Sequence, residues 1–308
     1  IDVLRESINT SFRLRYGENP HQKGVFYGDH QQVFDKLHGK EISYNNFLDI
    51  DASLGLLDEF DETTFVIVKH NNACGVASRK NPSDAWKDAL ACDPVSAYGG
   101  VIACNVQITA IEAAEIDKLF FEIIIAPGFS EDALNILMQK KNRIILRRKD
   151  KAGNLYNYRS VLNGVLWQEK DNSTEMAGDM ETVTSKSPTP SELEDLVFAN
   201  KIVKHSKSNA IVLAKNLQLC ASGIGQTSRV DALKQAVEKA RSFGFDLKGA
   251  VLASDAYFPF ADSVEIAHKA GITAIVQPGG SVRDRDSIEF CSANDVAMVF
   301  TGKRHFKH

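Results

Sequence analysis

Short apolar runs closed by Gly, Asn or Lys alternate along this chain with stretches patterned as amphipathic helices. Val66-Ile-Val-Lys69, a Gly-containing loop and the helix-like Ser83–Cys92 lead to Gly99-Gly-Val-Ile-Ala103. Later, Ala210-Ile-Val-Leu-Ala-Lys215, a second Gly-containing loop and the helix-like Arg229–Phe243 lead to Gly249-Ala-Val-Leu-Ala253. β-Branched runs bounded by turn residues predict buried strands, and their alternation with helices predicts an α/β fold. The two passages correspond at an offset of about 145 to 150 residues, a domain-sized interval that suggests internal duplication. Any two strand–loop–helix–strand units would look alike at this level, so the pattern alone leaves both readings open.

The texture changes between Lys149 and Pro190, where charged residues, Gly, Asn, Ser and Thr dominate around one hairpin-like piece, Tyr156–Gln168. The expected division is a first subdomain over 1–150, a connector over 151–190 and a second subdomain over 191–308. A helix is predicted to start at Thr189-Pro-Ser-Glu, with a hydroxyl cap, Pro in the first turn and early acids.

Composition narrows the function classes. The chain has 308 residues, 44% hydrophobic and 25% charged, enough for about two ordinary globular domains. The net charge of −4 offers no global field for nucleic acid, so an anionic substrate needs a local basic cluster. The cysteines (Cys74, Cys92, Cys104, Cys220, Cys291) are scattered without CxxC or close Cys/His spacing. That supports neither a disulfide framework nor a zinc site, and fits a reducing cytoplasm. No apolar stretch approaches the about 18 residues of a membrane span, and no signal peptide is evident. The chain begins with Ile, and a ligand-like motif follows within twenty residues. A piece of a longer polypeptide is therefore expected.

The candidate chemistry begins with Lys69 and His70, an ammonium and an imidazole together where a strand is expected to end. Such a pair can move a proton near neutral pH beside a fixed positive charge. A solvated Lys and a His satisfied by backbone would look the same in this segment. Arg15-Tyr16-Gly-Glu-Asn-Pro-His21 offers a forked cation and a phenol suited to phosphate, or an ordinary turn. Asp93-Pro-Val-Ser-Ala-Tyr-Gly99-Gly100 permits close backbone approach. Ser222-Gly-Ile-Gly-Gln-Thr-Ser-Arg229 precedes a helix, but it is neither a Walker A sequence nor GxGxxG. Ser254-Asp-Ala-Tyr-Phe-Pro-Phe-Ala-Asp262 joins aromatics to carboxylates, and Gln277-Pro-Gly-Gly-Ser281 makes another backbone-rich loop. Five of these follow predicted strands, the placement expected for one shared site.

The segments RYGENPHQ, VKHNNACGVA, DPVSAYGG, IIAPGFSEDAL, KSNAIVLAKN, GQTSRV, SDAYFPFAD, QPGGSVRD and RHFKH, in this order, cover essentially the whole chain. Together they resemble the formyltransferase portion of the AICAR formyltransferase/IMP cyclohydrolase family of purine biosynthesis. The resemblance implies two tandem cytidine-deaminase-like α/β subdomains. It also implies transfer of a formyl group from the co-substrate 10-formyltetrahydrofolate to the 5-amino group of AICAR. The cyclohydrolase portion is absent here, so that activity is not expected. The resemblance makes His70 the proton acceptor, Lys69 the transition-state stabiliser and Asn209 an amide that orients the formyl group. It places Arg15, Tyr16, Gly99, Glu122, Lys141, Arg229, Tyr257 and Arg304 around AICAR, and Val230, Asp262, Ser281 and Val282 around the folate. A structural potassium ion near Val203, Ser206 and Asp255 is a further implication, as is a homodimer with shared active sites. No nucleic acid or membrane partner is implied.

Some positions depart from the family pattern. Ala221-Ser-Gly-Ile-Gly225 stands where Gly-Ile-Gly-Ala-Gly is expected, Ala73 stands where Pro is usual, and Glu122 and Tyr257 stand where some members have Asp and Phe. None removes a proposed catalytic group. Two competing classes fit the residues less well. A zinc hydrolase on the same fold needs H-x-E and P-C-x-x-C, and neither occurs. A non-catalytic interaction module is opposed by the intact Lys69, His70 and Asn209.

Overall fold

The computed structural model of the chain describes residues 8–149 and 155–308, so the expected boundary at 150/151 lies outside the described residues. The β-branched runs form its inner strands. These are Thr64–Lys69, Val101–Cys104, Ile123–Ala126 and Ile144–Arg148 in the first half. In the second half they are Ile211–Lys215, Val251–Ser254, Ala274–Gln277 and Ala297–Phe300. Most of their residues are buried, as strands covered on both faces require.

With Phe34–His38, Asn72–Ser78, Glu181–Thr182 and Gln218–Gly223 they make one twelve-stranded mixed sheet. Outward from the centre, each half has the same neighbour order. A hairpin's return strand comes first, then its leading strand, then a strand antiparallel to that. Two parallel additions and an antiparallel edge strand follow. The halves join through their return strands, paired at Gln218 and Ala77. Helices Tyr44–Leu57 and Pro190–Lys204 cover one face, where a single apolar cluster runs across both halves. On the other face each half keeps its own cluster, under Pro82–Cys92 and its neighbours or under Arg229–Ser242 and its neighbours.

The mixed α/β class follows the sequence pattern. So do the capped helix start at Thr189 and the hairpin, Tyr156–Val161 against Gly164–Glu169, which stands as a separate exposed sheet. The two Gly-containing loops are a correction. Each is in fact the return strand of a tight hairpin, Asn72–Ser78 or Gln218–Gly223. Their small residues carry little β-propensity, which hid them. The glycines serve helix packing. A Cβ on Gly75 would lie 2.2 Å from the Ala89 carbonyl oxygen, and one on Gly223 would lie 1.7 Å from that of Ala232.

Candidate active site

Lys69 ends its strand and pairs with Asn72, so His70 and Asn71 are the two central residues of a two-residue hairpin turn. Both have positive φ, 51° and 64°, the backbone that such tight turns use. The pair therefore sits at a tight antiparallel turn, and the Gly-containing loop expected after the strand is the hairpin's return strand. His70 is exposed at the tip. Lys69 donates from Nζ to the Tyr98 carbonyl at 2.6 Å, which draws its ammonium toward Gly99 and Gly100.

Around this turn lies a first group of candidates. Glu122, just ahead of its strand, accepts from Lys40 Nζ at 2.8 Å and from Asn46 Nδ2 at 3.4 Å. The Arg15–Tyr16 loop is tied to the start of helix Tyr44–Leu57 by Asn45, whose amide donates to the Glu18 carbonyl at 3.2 Å. The Arg15 guanidinium lies 5.5 Å from the centre of the Tyr16 ring. Lys141 is exposed in the turn before strand Ile144–Arg148. In this half the candidates cluster at the amino ends of the parallel strands, because Val68 pairs with Val101. The expectation of carboxyl ends fails here. The antiparallel hairpin reverses the chain and brings its turn to the opposite end.

A second group occupies the same sheet edge in the other half, there at the carboxyl ends of the parallel strands. Asn209 donates from Nδ2 to the Gln226 carbonyl at 2.9 Å and accepts from Arg229 Nη2 at 2.9 Å. Arg229 also donates to Asp255 Oδ1 at 2.8 Å and to the Tyr257 carbonyl at 3.2 Å. Its side chain is largely buried, so the guanidinium is committed to orienting Asn209 and Asp255. Only its Nε and Asp255 Oδ2 are buried there without a partner. Val230 is half-buried in the first turn of helix Arg229–Ser242. Asp262 is exposed at the start of helix Asp262–Ala270 and accepts from the Ser263 N–H at 2.7 Å. Ser281 donates its N–H to Asp284 Oδ2 at 3.0 Å, and Val282 is fully exposed beside it. The Arg283 guanidinium lies over Phe260 at 4.9 Å, which brings these two loops together. Tyr257 and Arg304 are exposed.

The tail carrying Arg304 is pinned on both sides. The Lys307 carbonyl accepts from the Ser208 N–H at 2.9 Å, and the His305 N–H reaches the Asp255 carbonyl at 3.0 Å. His305 is buried, with Asp171 Oδ2 2.6 Å from Nδ1 and Glu175 Oε2 2.7 Å from Nε2.

Between the strand that ends at Lys69 and the strand that Asn209 leads into, Ile211–Lys215, lie Asn72–Ser78 and Gln218–Gly223. That is three strand spacings from the strand of Lys69 to that of Asn209, at least about 14 Å. One chain thus brings its candidates together as two groups on one edge, not as a single compact site. Three participants were missed from sequence: Lys40, Asn46 and Asp49. Asp49, on helix Tyr44–Leu57, accepts the Asn71 N–H at 2.7 Å. Burial pushes its carboxyl up. The Asn71 N–H and the nearby His70 oppose that, and Glu122 adds to it. The available signal was the internal correspondence, which pairs Asp49 with Asp195. Among the described residues, no three His, Cys, Asp or Glu side chains are grouped to hold a metal, and no helix is long and apolar enough to cross a membrane.

A family profile described as "AICARFT/IMPCHase bienzyme" matches residues 2–239. A bifunctional purine biosynthesis protein PurH of Bacteroides thetaiotaomicron is 64% identical over 99% of this chain and 60% of its own length. Proteins of the same name from Caldicellulosiruptor saccharolyticus and Aquifex aeolicus are 50% and 47% identical, over 100% and 96% of this chain and 61% and 59% of their own. The chain thus spans about 60% of the length of these curated relatives.

Proposed function

Because the chain belongs to the AICARFT/IMPCHase bienzyme family, we propose that it catalyses the formyl-transfer step of purine biosynthesis. The acceptor is AICAR, the donor 10-formyltetrahydrofolate, and the products are FAICAR and tetrahydrofolate. The repeated strand order supports two tandem cytidine-deaminase-like subdomains, 1–150 and 191–308, around the connector 151–190.

The observation that carries this reading is the exposed His70 imidazole beside the Lys69 ammonium on a fixed turn. The 5-amino group of AICAR is a weak nucleophile, since its lone pair is conjugated with the ring and carboxamide. His70 accepts its proton as the new N–C bond forms at the formyl carbon. The Lys69 ammonium stabilises the oxyanion that develops, and the bond to N10 then breaks as N10 takes up a proton. Asn209, held by Arg229 and Gln226, orients the formyl oxygen. Arg15, Tyr16, Gly99, Glu122, Lys141, Tyr257 and Arg304 surround the nucleotide. Val230, Asp262, Ser281 and Val282 receive the folate, with Asp262 accepting from the amino and N3–H edge of the pterin. The buried, unpartnered Asp255 Oδ2 suits a monovalent cation, which carbonyl oxygens near Val203 and Ser206 would also hold. Such an ion would supply a fixed positive charge that braces Asp255.

The two groups are separate clusters, three strand spacings or at least about 14 Å apart along the sheet edge. That supports a homodimer in which the His70 group of one protomer meets the Asn209 group of its partner. The purified chain, given AICAR and 10-formyltetrahydrofolate, should form tetrahydrofolate, followed by absorbance. His70→Ala and Lys69→Ala should each lower turnover by about 100-fold or more while AICAR still binds. Wild-type turnover in His70→Ala would sink the base assignment, and failure of the unaltered chain to consume AICAR would favour a non-catalytic partner.

A further inference from the structure

The turn that presents His70 has a counterpart in the other half, which isolates what is special about it. An offset of 146 residues carries Lys69-His70-Asn71 onto Lys215-Asn216-Leu217 and Asp49 onto Asp195. Both turns have two central residues of positive φ, 51° and 64° in one and 53° and 53° in the other. Each is held from below by a carboxylate standing five residues into a long helix, Tyr44–Leu57 or Pro190–Lys204. Asp195 accepts the N–H groups of both turn residues, Asn216 to Oδ2 at 2.8 Å and Leu217 to Oδ1 at 2.7 Å. Asp49 accepts the Asn71 N–H at 2.7 Å. The Asn71 amide, turned to satisfy both of its ends, adds a donor to Asp49 Oδ1 at 3.1 Å and one to the Leu48 carbonyl at 3.1 Å.

A two-residue turn with positive φ at non-glycine positions is unfavourable unless its surroundings hold it. The carboxylate does this by accepting an N–H that the hairpin ladder does not use. Asp195 performs that task where the turn carries Asn216 and no imidazole. Asp49 performs it directly beneath His70, the residue that must hold a defined direction. We infer that Asp49 is the positioning residue for His70, fixing the turn so that the imidazole projects in one direction. It touches no reacting atom. In its kinetic consequence the inference rests on the formyl-transfer reading above; in its structural consequence it does not.

The test compares Asp49→Ala with Asp195→Ala in the full chain, by two readouts. The first is the NMR signal of the His70 ring, which needs no substrate. Asp49→Ala should broaden or shift it, Asp195→Ala should leave it unchanged, and Asp49→Asn, which keeps an acceptor oxygen for the Asn71 N–H, should restore it. The second is steady-state formyl transfer. Asp49→Ala should lower kcat about 10- to 100-fold with KM for AICAR within about threefold, as expected when a catalytic group is misaimed. Asp195→Ala should stay within about twofold of the unaltered protein in kcat, even though it removes an equivalent clamp and lowers the thermal midpoint. An undisturbed His70 signal in folded Asp49→Ala would overturn the inference, as would equal kcat losses in the two alanine variants. If the unaltered chain transfers no formyl group, the reaction assignment fails, and the ring signal still decides whether Asp49 positions His70.

Discussion

Two side chains distinguish the two hairpin turns, His70 against Asn216 and Asn71 against Leu217, and of these only His70 can carry a proton near neutral pH. Lys69 and Lys215 behave alike, each donating to a carbonyl in the loop before the next strand, Tyr98 at 2.6 Å and Lys248 at 2.7 Å. The lysine tie is therefore common to both halves, whereas the imidazole at position 70 faces Asn at 216. That comparison makes His70 the chemical discriminator, and it was half legible in the sequence. The Lys-His pair stood out at once, but its turn did not, because Asn72-Ala-Cys-Gly-Val-Ala-Ser looks like loop. Gly75 misled for a physical reason. Its missing side chain admits the helix Pro82–Cys92, with the Ala89 carbonyl where a Cβ would sit. Gly75→Ala should cost about 1–3 kcal/mol by overpacking, measured by urea unfolding. An unchanged midpoint and slope would mean that this contact does not set the packing.

The C-terminal tail shows how an element is fastened by charge. Its anchor, His305, has a carboxylate at each ring nitrogen, so both nitrogens donate and the ring is an imidazolium. Burial pushes the ring toward the neutral form, but Asp171 and Glu175 outweigh it and raise its pKa above the usual 6.5. Burial pushes the two carboxyls up, yet the bonds from His305 and their other partners hold both below their ordinary values of 3.8 and 4.5. Asn200 and Lys303 face Glu175 from other elements, at 3.1 Å and 3.5 Å, and favour its ionised form. The sign follows. The raised histidine contributes fully below 6.5, and its contribution is lost as pH rises through its folded-state value. The depressed acids contribute fully above 4.5, and theirs is lost as pH falls through their folded-state values. Hydrogen-exchange protection of the His305 and Lys307 amides should therefore be greatest between pH 4.5 and 6.5 and decline on either side. A profile that stays flat into the alkaline range would show that the tail does not depend on the charged ring. The basic tail is legible in the sequence but its anchors are not, because they stand 130 and 134 residues away.

At the scale of the molecule, the continuous cluster beneath helices Tyr44–Leu57 and Pro190–Lys204 welds the halves into one body. That body holds the His70 and Asn209 groups at a fixed separation on one edge. If two copies complete each other's sites, inactive His70→Ala and Asn209→Ala chains should rescue one another. A mixed dimer would have one site with both defects and one intact. Equal co-expression should then restore about a quarter of unaltered activity, since half the dimers are mixed and each has one working site. No recovery above the separate variants would place both groups in the same protomer's site.

By itself the sequence determined the α/β class, the helices that start near Ser83, Thr189 and Arg229, the internal correspondence and the identities of the candidate chemical groups. These are written locally, in β-branched runs, caps and motif residues, and need only neighbours along the chain. Tertiary structure decided which end of the sheet each group occupies, that Arg229 is turned inward to Asp255, and that Asp49 and Asp195 hold the two turns. The physical reason is strand direction. Two hairpins built from small residues reverse the chain, and a reversal moves every later residue to the other end of the sheet without changing a letter of its local pattern.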